Sequence, residues 1–290
     1  MIRVITISLI LTFAVLTGVS QVSYTHRALK AYQAKEHEVA KAYIDTAITV
    51  PAENNDAQTW LIRGYVYLEL YKEGYKDEPR PVAEEAFKRV LQLDPDGDSG
   101  DRAKKGLYNL AVSYYNVAVN SMNDKAYMEA EPNYKKYREL VKIARPKTDL
   151  GQKDIQFYNA LGSLMQAIYT NNKKSKPELW DRAMENFQKT FTIDSTNRSA
   201  NYHIAILYYN KGVDLILSLP PDAPLDQIFE IQDKTVELFL KSRPYMLRAY
   251  YLDPKNEDVL MGLKGIYYEL NDKEQIEFWD NKLKELRGEE

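Results

Sequence analysis

Few side chains in this sequence have the type and spacing that covalent chemistry needs. The three histidines, His26, His37 and His203, are scattered, and none pairs with another at the spacing of a helical metal site such as H-E-x-x-H. No serine lies in a G-x-S-x-G turn, and no glycine-rich loop is present to cradle a phosphate. Adjacent carboxylates such as Glu84 and Glu85 are expected on a helix surface, as solvating charges, and His203 is expected as a polar surface or groove residue. The pattern that does recur joins aromatic rings to a carboxamide. The run Tyr108 to Val119 contains Tyr114-Tyr115-Asn116, and 94 residues on, counting Tyr202 against Tyr108, the run Tyr202 to Val213 contains Tyr208-Tyr209-Asn210 in the same register. Rings can cover the side chains of an extended peptide while carboxamides bond its backbone. The expected chemistry is therefore recognition, with no catalytic residue, cofactor or metal.

Such a pattern needs elements that repeat, and the composition points to helices. Only 12 glycines and 12 prolines interrupt the 290 residues, whereas Ala, Leu, Lys, Glu and 23 tyrosines are plentiful. A unit that cannot bury its own apolar face must stack on copies of itself, so the internal repeat predicts a helical solenoid. The 39 basic and 42 acidic residues are interspersed and leave a formal charge of −3. No concentrated basic face exists for nucleic acid, and runs such as Lys104-Lys105 and Lys173-Lys174 read as solvated. The chain has no cysteine, hence no disulfide, and packing must hold the fold. Residues 1–20 read as an export signal: Arg3 gives the positive start, Val4 to Leu16 the apolar stretch, and Gly18-Val19-Ser20 a small-residue cleavage site before Gln21. The apolar run is a little short of the ~20 residues a spanning helix needs, although an uncleaved anchor is the alternative. Residues 21–290 form the expected solenoid domain, with no membrane span after cleavage.

Two segments carry a family resemblance. Trp60-Leu61-Ile62-Arg63-Gly64-Tyr65-Val66-Tyr67 is followed by Ala83-Glu84-Glu85-Ala86-Phe87 and by Leu93-Asp94-Pro95. This resembles the tetratricopeptide repeat, a helix pair in which a small residue on the first helix faces an aromatic on the second. Gly64 would admit close approach, Phe87 would fill the space between helices, and Pro95 would stop the second helix. Arg63 stands where the family usually has Leu. Laid over the chain, the same frame gives an opening copy from Tyr24 to Pro51, a third through Ala111, Tyr114, Ala130, Tyr134 and Tyr137, and a fourth through Leu161-Gly162, Ala183 and Phe187. A fifth runs through Ala205, Tyr208 and Gly212 to Met246, Ala249 and Leu252-Asp253-Pro254, and a sixth closes with a helix over Ile276 to Leu286. The resemblance thus implies an all-α, right-handed α-solenoid of about six helix pairs, with insertions near residues 73–81, 171–175 and 213–224. Pro132 and Pro244, at equivalent places in second helices, are expected where a helix starts or bends. The extra features resemble a group of exported tetratricopeptide proteins of the Bacteroidota, which implies a periplasmic or secreted location.

In the family the first helices line the concave face. Carried onto this chain, that places Tyr65, Tyr108, Tyr115, Asn116, Gln156, Asn159, Gln166, Tyr202, Tyr209, Asn210 and Tyr268 in a peptide-binding groove. The family's carboxylate clamp is not matched: Lys105 and Asn109 are present, but Leu61 and Tyr65 occupy the first clamping helix's places. Asp45-Thr46-Ala47 and Asp194-Ser195-Thr196 resemble O-glycosylation triplets of the same bacteria. The expected function is that of a non-catalytic periplasmic scaffold for a protein or peptide partner, with a cell-envelope assembly as its expected setting; the alternative is a carbohydrate or small-ligand binder that uses the tyrosines.

Overall fold

The computed structural model describes residues 22–75 and 78–289, so the export signal expected at residues 1–20 lies outside the described residues. Among them the chain is all helix: α1 (Tyr24–Gln33), α2 (His37–Ala47), α3 (Pro51–Asn54), α4 (Ala57–Lys72), α5 (Arg80–Leu93), α6 (Asp98–Asn123), α7 (Tyr127–Ala144), α8 (Gly151–Asn171), α9 (Glu178–Ile193), α10 (Arg198–Leu217), α11 (Leu225–Leu252), α12 (Glu257–Glu269) and α13 (Lys273–Arg287). Apart from the single turn α3, which the repeat frame does not foresee, these are six helix pairs.

Local chemistry starts and stops them. Ser23, Asp56, Asn197, Asn256 and Asp272 each accept a backbone N–H of the first turn that follows, as N-caps do. Four first helices end in one motif. Lys35, Gly74, Lys125 and Asn271 all have φ between 56° and 77°. In each case the next residue's N–H reaches back five residues, as from Glu36 to Ala31 and from Ala126 to Ser121, which is the Schellman closure. The two pairs without it, α8–α9 and α10–α11, are those whose connections carry the 171–175 and 218–224 insertions. Second helices end alike too, on extended aspartates with φ of −145° at Asp94, −142° at Asp194 and −152° at Asp253. Asp94 and Asp194 cap the next backbone turn through Ser99 and Thr196, and Asp253 pairs with Arg198 at the start of α10.

The described chain forms two compact units, residues up to Ala111 with 143–145, and residues 112–142 with 146–290. In the first, α1 packs on α2 and α4 on α5, and α4 also touches α1 and α2. Phe87, fully buried, lies between Gly64 of α4 and Gly106 of α6. A Cβ at Gly64 would stand 2.5 Å from the ring, and one at Gly106 would also overlap it. Arg63 departs from the repeat frame for a visible reason: its Nε donates to Asp45 of α2 at 3.2 Å, and the Tyr67 hydroxyl donates to the other oxygen of the same carboxylate at 2.7 Å.

In the second unit α8 packs on α9, α10 on α11 and α12 on α13, and each pair meets the next through α9–α10 and α11–α12. Gly162 faces Phe187, again as the frame expects. The fifth pair differs from the expected register. Gly212 and Tyr209 meet Phe239, upstream of the expected Met246, and Met246 packs instead under Gly262 of α12. The 28-residue α11 is long enough to make both contacts. Neither proline begins a helix: α7 and α11 run through Pro132 and Pro244. Both prolines are exposed, as are Met128 and Leu240, the residues whose carbonyls lose a partner there.

Candidate binding surface

The residues expected in the groove fall into two groups, those anchored in junctions between helices and those that remain open. Most tyrosines are anchored. In the first unit Tyr65 meets Phe87 edge-on at 5.2 Å and donates its hydroxyl proton to the Arg102 carbonyl at 2.9 Å. Burial raises its pKa against the opposing influence of Arg102. Tyr108 is covered by the Arg145 guanidinium, 3.4 Å from the ring centre.

In the second unit Tyr115 of α6 packs on Tyr134 and Tyr137 of α7, at 6.2 and 5.1 Å, with the Lys153 ammonium 4.4 Å over its ring. Tyr209 stands in the corresponding place of α10, 5.6 Å from Phe239, and its hydroxyl lies where a Cβ on Gly265 of α12 would be only 2.8 Å away. Tyr202 is half-buried in the same cluster. Burial raises the pKa of both Tyr202 and Tyr209, and the carboxylates of Asp258 and Glu269 respectively add to it. Of the tyrosines expected in the groove, only Tyr268 of α12 is largely open among the described residues, at 68% exposure.

The carboxamides divide in the same way. Asn159 donates to Asn197 Oδ1 at 3.1 Å, and the same oxygen caps α10 by accepting from the Ala200 N–H. Gln166 Oε1 accepts from His203 Nδ1 at 2.8 Å. His203 is stacked on Phe187, 4.7 Å away and 5° from parallel, and burial pushes its pKa down. It therefore sits in a junction rather than at the expected surface. By contrast Asn116, Gln156 and Asn210 are exposed and make no side-chain hydrogen bond among the described residues. Asn116 and Asn210 each follow an anchored tyrosine of the same repeat position, so the backbone that carries them is held on both sides.

Two concavities lie in the second unit. One of about 160 Å³ is bordered by Tyr202 and His203 of α10 and by Asn256 and Asp258 at the start of α12. The other, of about 500 Å³, was not foreseen and is bordered by Arg138 of α7, Asp154 and Tyr158 of α8, and Gln188, Lys189 and Thr192 of α9. Its floor is tightly paired. Asp154, 4% exposed, accepts from Tyr134 at 2.8 Å and lies 3.0 Å from Arg138 Nε. Lys189 and Arg182 both bond Glu131, and although burial works against it they hold that carboxyl below its usual range. No sequence signal marks this groove, since its residues come from three helices and none belongs to a motif. Among the described residues no group of three His, Asp or Glu side chains converges as metal ligands would, and no helix is long and apolar enough to cross a membrane. Thr46 donates to the Ala42 carbonyl within α2, and Ser195 and Thr196 are exposed in the turn before α10.

No family model matches the chain, and no curated protein matches it. Several solved structures are similar to it. A monomeric mutant of IFIT1 with Gppp-AAAA is 14% identical over 90% of this chain, with a TM-score of 0.37, and this chain spans 58% of that one. YrrB, described as a TPR protein with an unusual peptide-binding site, is 15% identical over 84% of this chain and 92% of its own, with a TM-score of 0.32. PilF of Pseudomonas aeruginosa is 16% identical over 91% of this chain and 90% of its own, with a TM-score of 0.36.

Proposed function

We propose that this chain is a non-catalytic adaptor, exported to the periplasm by residues 1–20, which binds an extended segment of a protein partner along the first helices of its second unit. The observation that carries this reading is the repeated pairing of an anchored tyrosine with an open carboxamide, Tyr115 with Asn116 and Tyr209 with Asn210. Each tyrosine fixes the helix surface against the rings of its second helix. Each asparagine leaves a donor and an acceptor unused within the described chain and available to a peptide backbone. Gln156 of α8 offers the same chemistry between them in sequence, and the open ring of Tyr268 offers contact area.

Tyr268 also favours a second reading, a carbohydrate ligand, because an open tyrosine ring stacks on a sugar as readily as on a peptide side chain. Calorimetric titration with a peptide library and with oligosaccharides separates the two. A partner recovered from envelope extract should bind the wild type and lose affinity when Asn116 and Asn210 are both replaced by alanine. Undiminished affinity in that double variant would remove the proposed surface from consideration.

A further inference from the structure

Beyond that surface, the end of the α10–α11 hairpin has the makings of a separate docking site. α10 and α11 have 20 and 28 residues, against 13 and 15 in α12 and α13, and their connected ends carry the insertion. The packing that α11 makes on α10 is dense at Thr235, Phe239 and Ser242, all buried, and thins towards its start. There Leu225 is 70% and Phe229 59% exposed, one turn apart on one side of α11, and Leu217 at the end of α10 is 76% exposed. Large apolar side chains this open are ordinary when scattered singly, but here three stand at one end of one helix pair, where water gains nothing from them.

The charges beside them are of one sign. From Val213 to Asp233 the chain has five acidic residues, Asp214, Asp222, Asp226, Glu230 and Asp233, and no basic one. Lys173 pairs with Asp214 at 2.7 Å and Lys234 with Glu230 at 2.6 Å. That leaves Asp222, Asp226 and Asp233 without an ion-pair partner among the described residues. Asp226 suits the first turn of α11, where the helix dipole favours an anion, but Asp233 lies two turns further in and has no such local role. Asp226, Glu230 and Asp233 recur at helical spacing beside Leu225 and Phe229, so an apolar stripe runs next to an acidic one.

We propose that this hairpin end docks an amphipathic segment of a partner protein that presents apolar side chains flanked by lysine or arginine. Charge complementarity selects that occupant. A second copy of the hairpin would set the same carboxylates against each other, and an anionic lipid surface would be repelled.

The probe is a fluorescein-labelled amphipathic helix of leucine and lysine, with a leucine–glutamate peptide of the same pattern as its charge control, followed by anisotropy. The lysine peptide should bind the full chain at micromolar affinity and bind more weakly as salt rises; the glutamate peptide should not bind. Leu225→Ser with Phe229→Ser should weaken binding by about tenfold or more. Asp226→Asn with Asp233→Asn should weaken it several-fold and flatten the salt dependence. All four side chains are exposed, so the melting temperature should be unchanged in the serine variant and fall by only about 1–2 °C in the asparagine variant, which gives up the helix-dipole interaction of Asp226. The proposal is overturned if the lysine peptide fails to bind at ~100 μM, or binds both variants as tightly as the wild type. It is overturned equally by sedimentation showing a dimer that the Leu225→Ser, Phe229→Ser variant dissolves, which would give the surface to a second copy.

Discussion

Replacing Gly64 by alanine sets two known effects against each other at one atom. In the middle of a helix the change should stabilise by about 1 kcal/mol, because glycine is the poorer helix former by that amount. At this site the added methyl would lie 2.5 Å from Phe87 Cε1 and 2.6 Å from Cδ1, whereas carbon atoms in contact prefer about 3.5–4.0 Å. The ring would have to retreat by about 1 Å. It cannot do so freely, because it is fully buried and Gly106 of α6 closes the other side. The upper end of the overpacking range, about 3 kcal/mol, therefore applies, and the net loss is about 2 kcal/mol. For a chain of this size that lowers the melting temperature by about 4–8 °C. The decisive assay is a double-mutant cycle with Phe87→Ala, which removes the Cδ, Cε and Cζ atoms that the new methyl would meet. In that background the clash is relieved, and Gly64→Ala should now raise the melting temperature by about 2–4 °C. If Gly64→Ala stabilises the wild type, or if the sign fails to reverse in the Phe87→Ala background, the account of a ring clamped between two glycines is wrong.

Lys125 adopts φ 59° in the turn after α6, a conformation that L-residues avoid by about 1–2 kcal/mol; Lys125→Gly should stabilise by roughly 0.5–1 kcal/mol after allowing for glycine's greater freedom when unfolded, and a lowered melting temperature would contradict this. Because burial holds the His203 pKa below its unfolded value of about 6.5, its contribution to stability is complete above that pH and is lost as pH falls towards the folded pKa. His203→Phe keeps a ring on Phe187 but cannot titrate, so its melting temperature should drop less than that of the wild type between about pH 7 and pH 5.5; equal slopes would show that His203 does not carry the effect. Asn116→Ala with Asn210→Ala should weaken partner binding by about 1–3 kcal/mol and leave the melting temperature unchanged, and the reverse result would identify these residues as structural. Intact mass of protein recovered from a Gram-negative periplasm should correspond to a chain that begins at Gln21; a mass that retains residues 1–20, found in the membrane fraction, would favour an anchor.

The parts of the fold legible in the sequence are those governed by contacts within one helix pair. Gly64 against Phe87 and Gly162 against Phe187 follow from a small residue and a ring at matching places in two adjacent helices, and that spacing is present in the chain itself. The ends of the second helices were legible only in part: Pro95 and Pro254 mark two of them, whereas the caps made by Asp94 and Asp194 and the pairing of Asp253 with Arg198 have no signal in the sequence. Backbone turns were legible only where the residue type reports them. Gly74 and Asn271 are natural in the left-handed region, but Lys35 and Lys125 adopt it because the connection between their helices demands it, and a lysine gives no warning.

What the sequence hid are contacts from one pair to the next, and these decide which groove residues remain available to a ligand. Tyr209, Gln166 and Asn159 occupy first-helix positions that a single repeat leaves facing outward. Each is then engaged by the following first helix, through Gly265, His203 and Asn197 respectively. Such a partner lies 37, 38 or 56 residues away, at a distance set by the length of each insertion, so no fixed spacing announces it. Asn116, Gln156 and Asn210 escape because they lie beside the engaged positions rather than on them. The same offset that makes Tyr115 and Tyr209 poor candidates for direct contact makes the neighbouring asparagines good ones, since a carboxamide on a rigidly held turn loses less freedom when it bonds a partner than one on a mobile surface would.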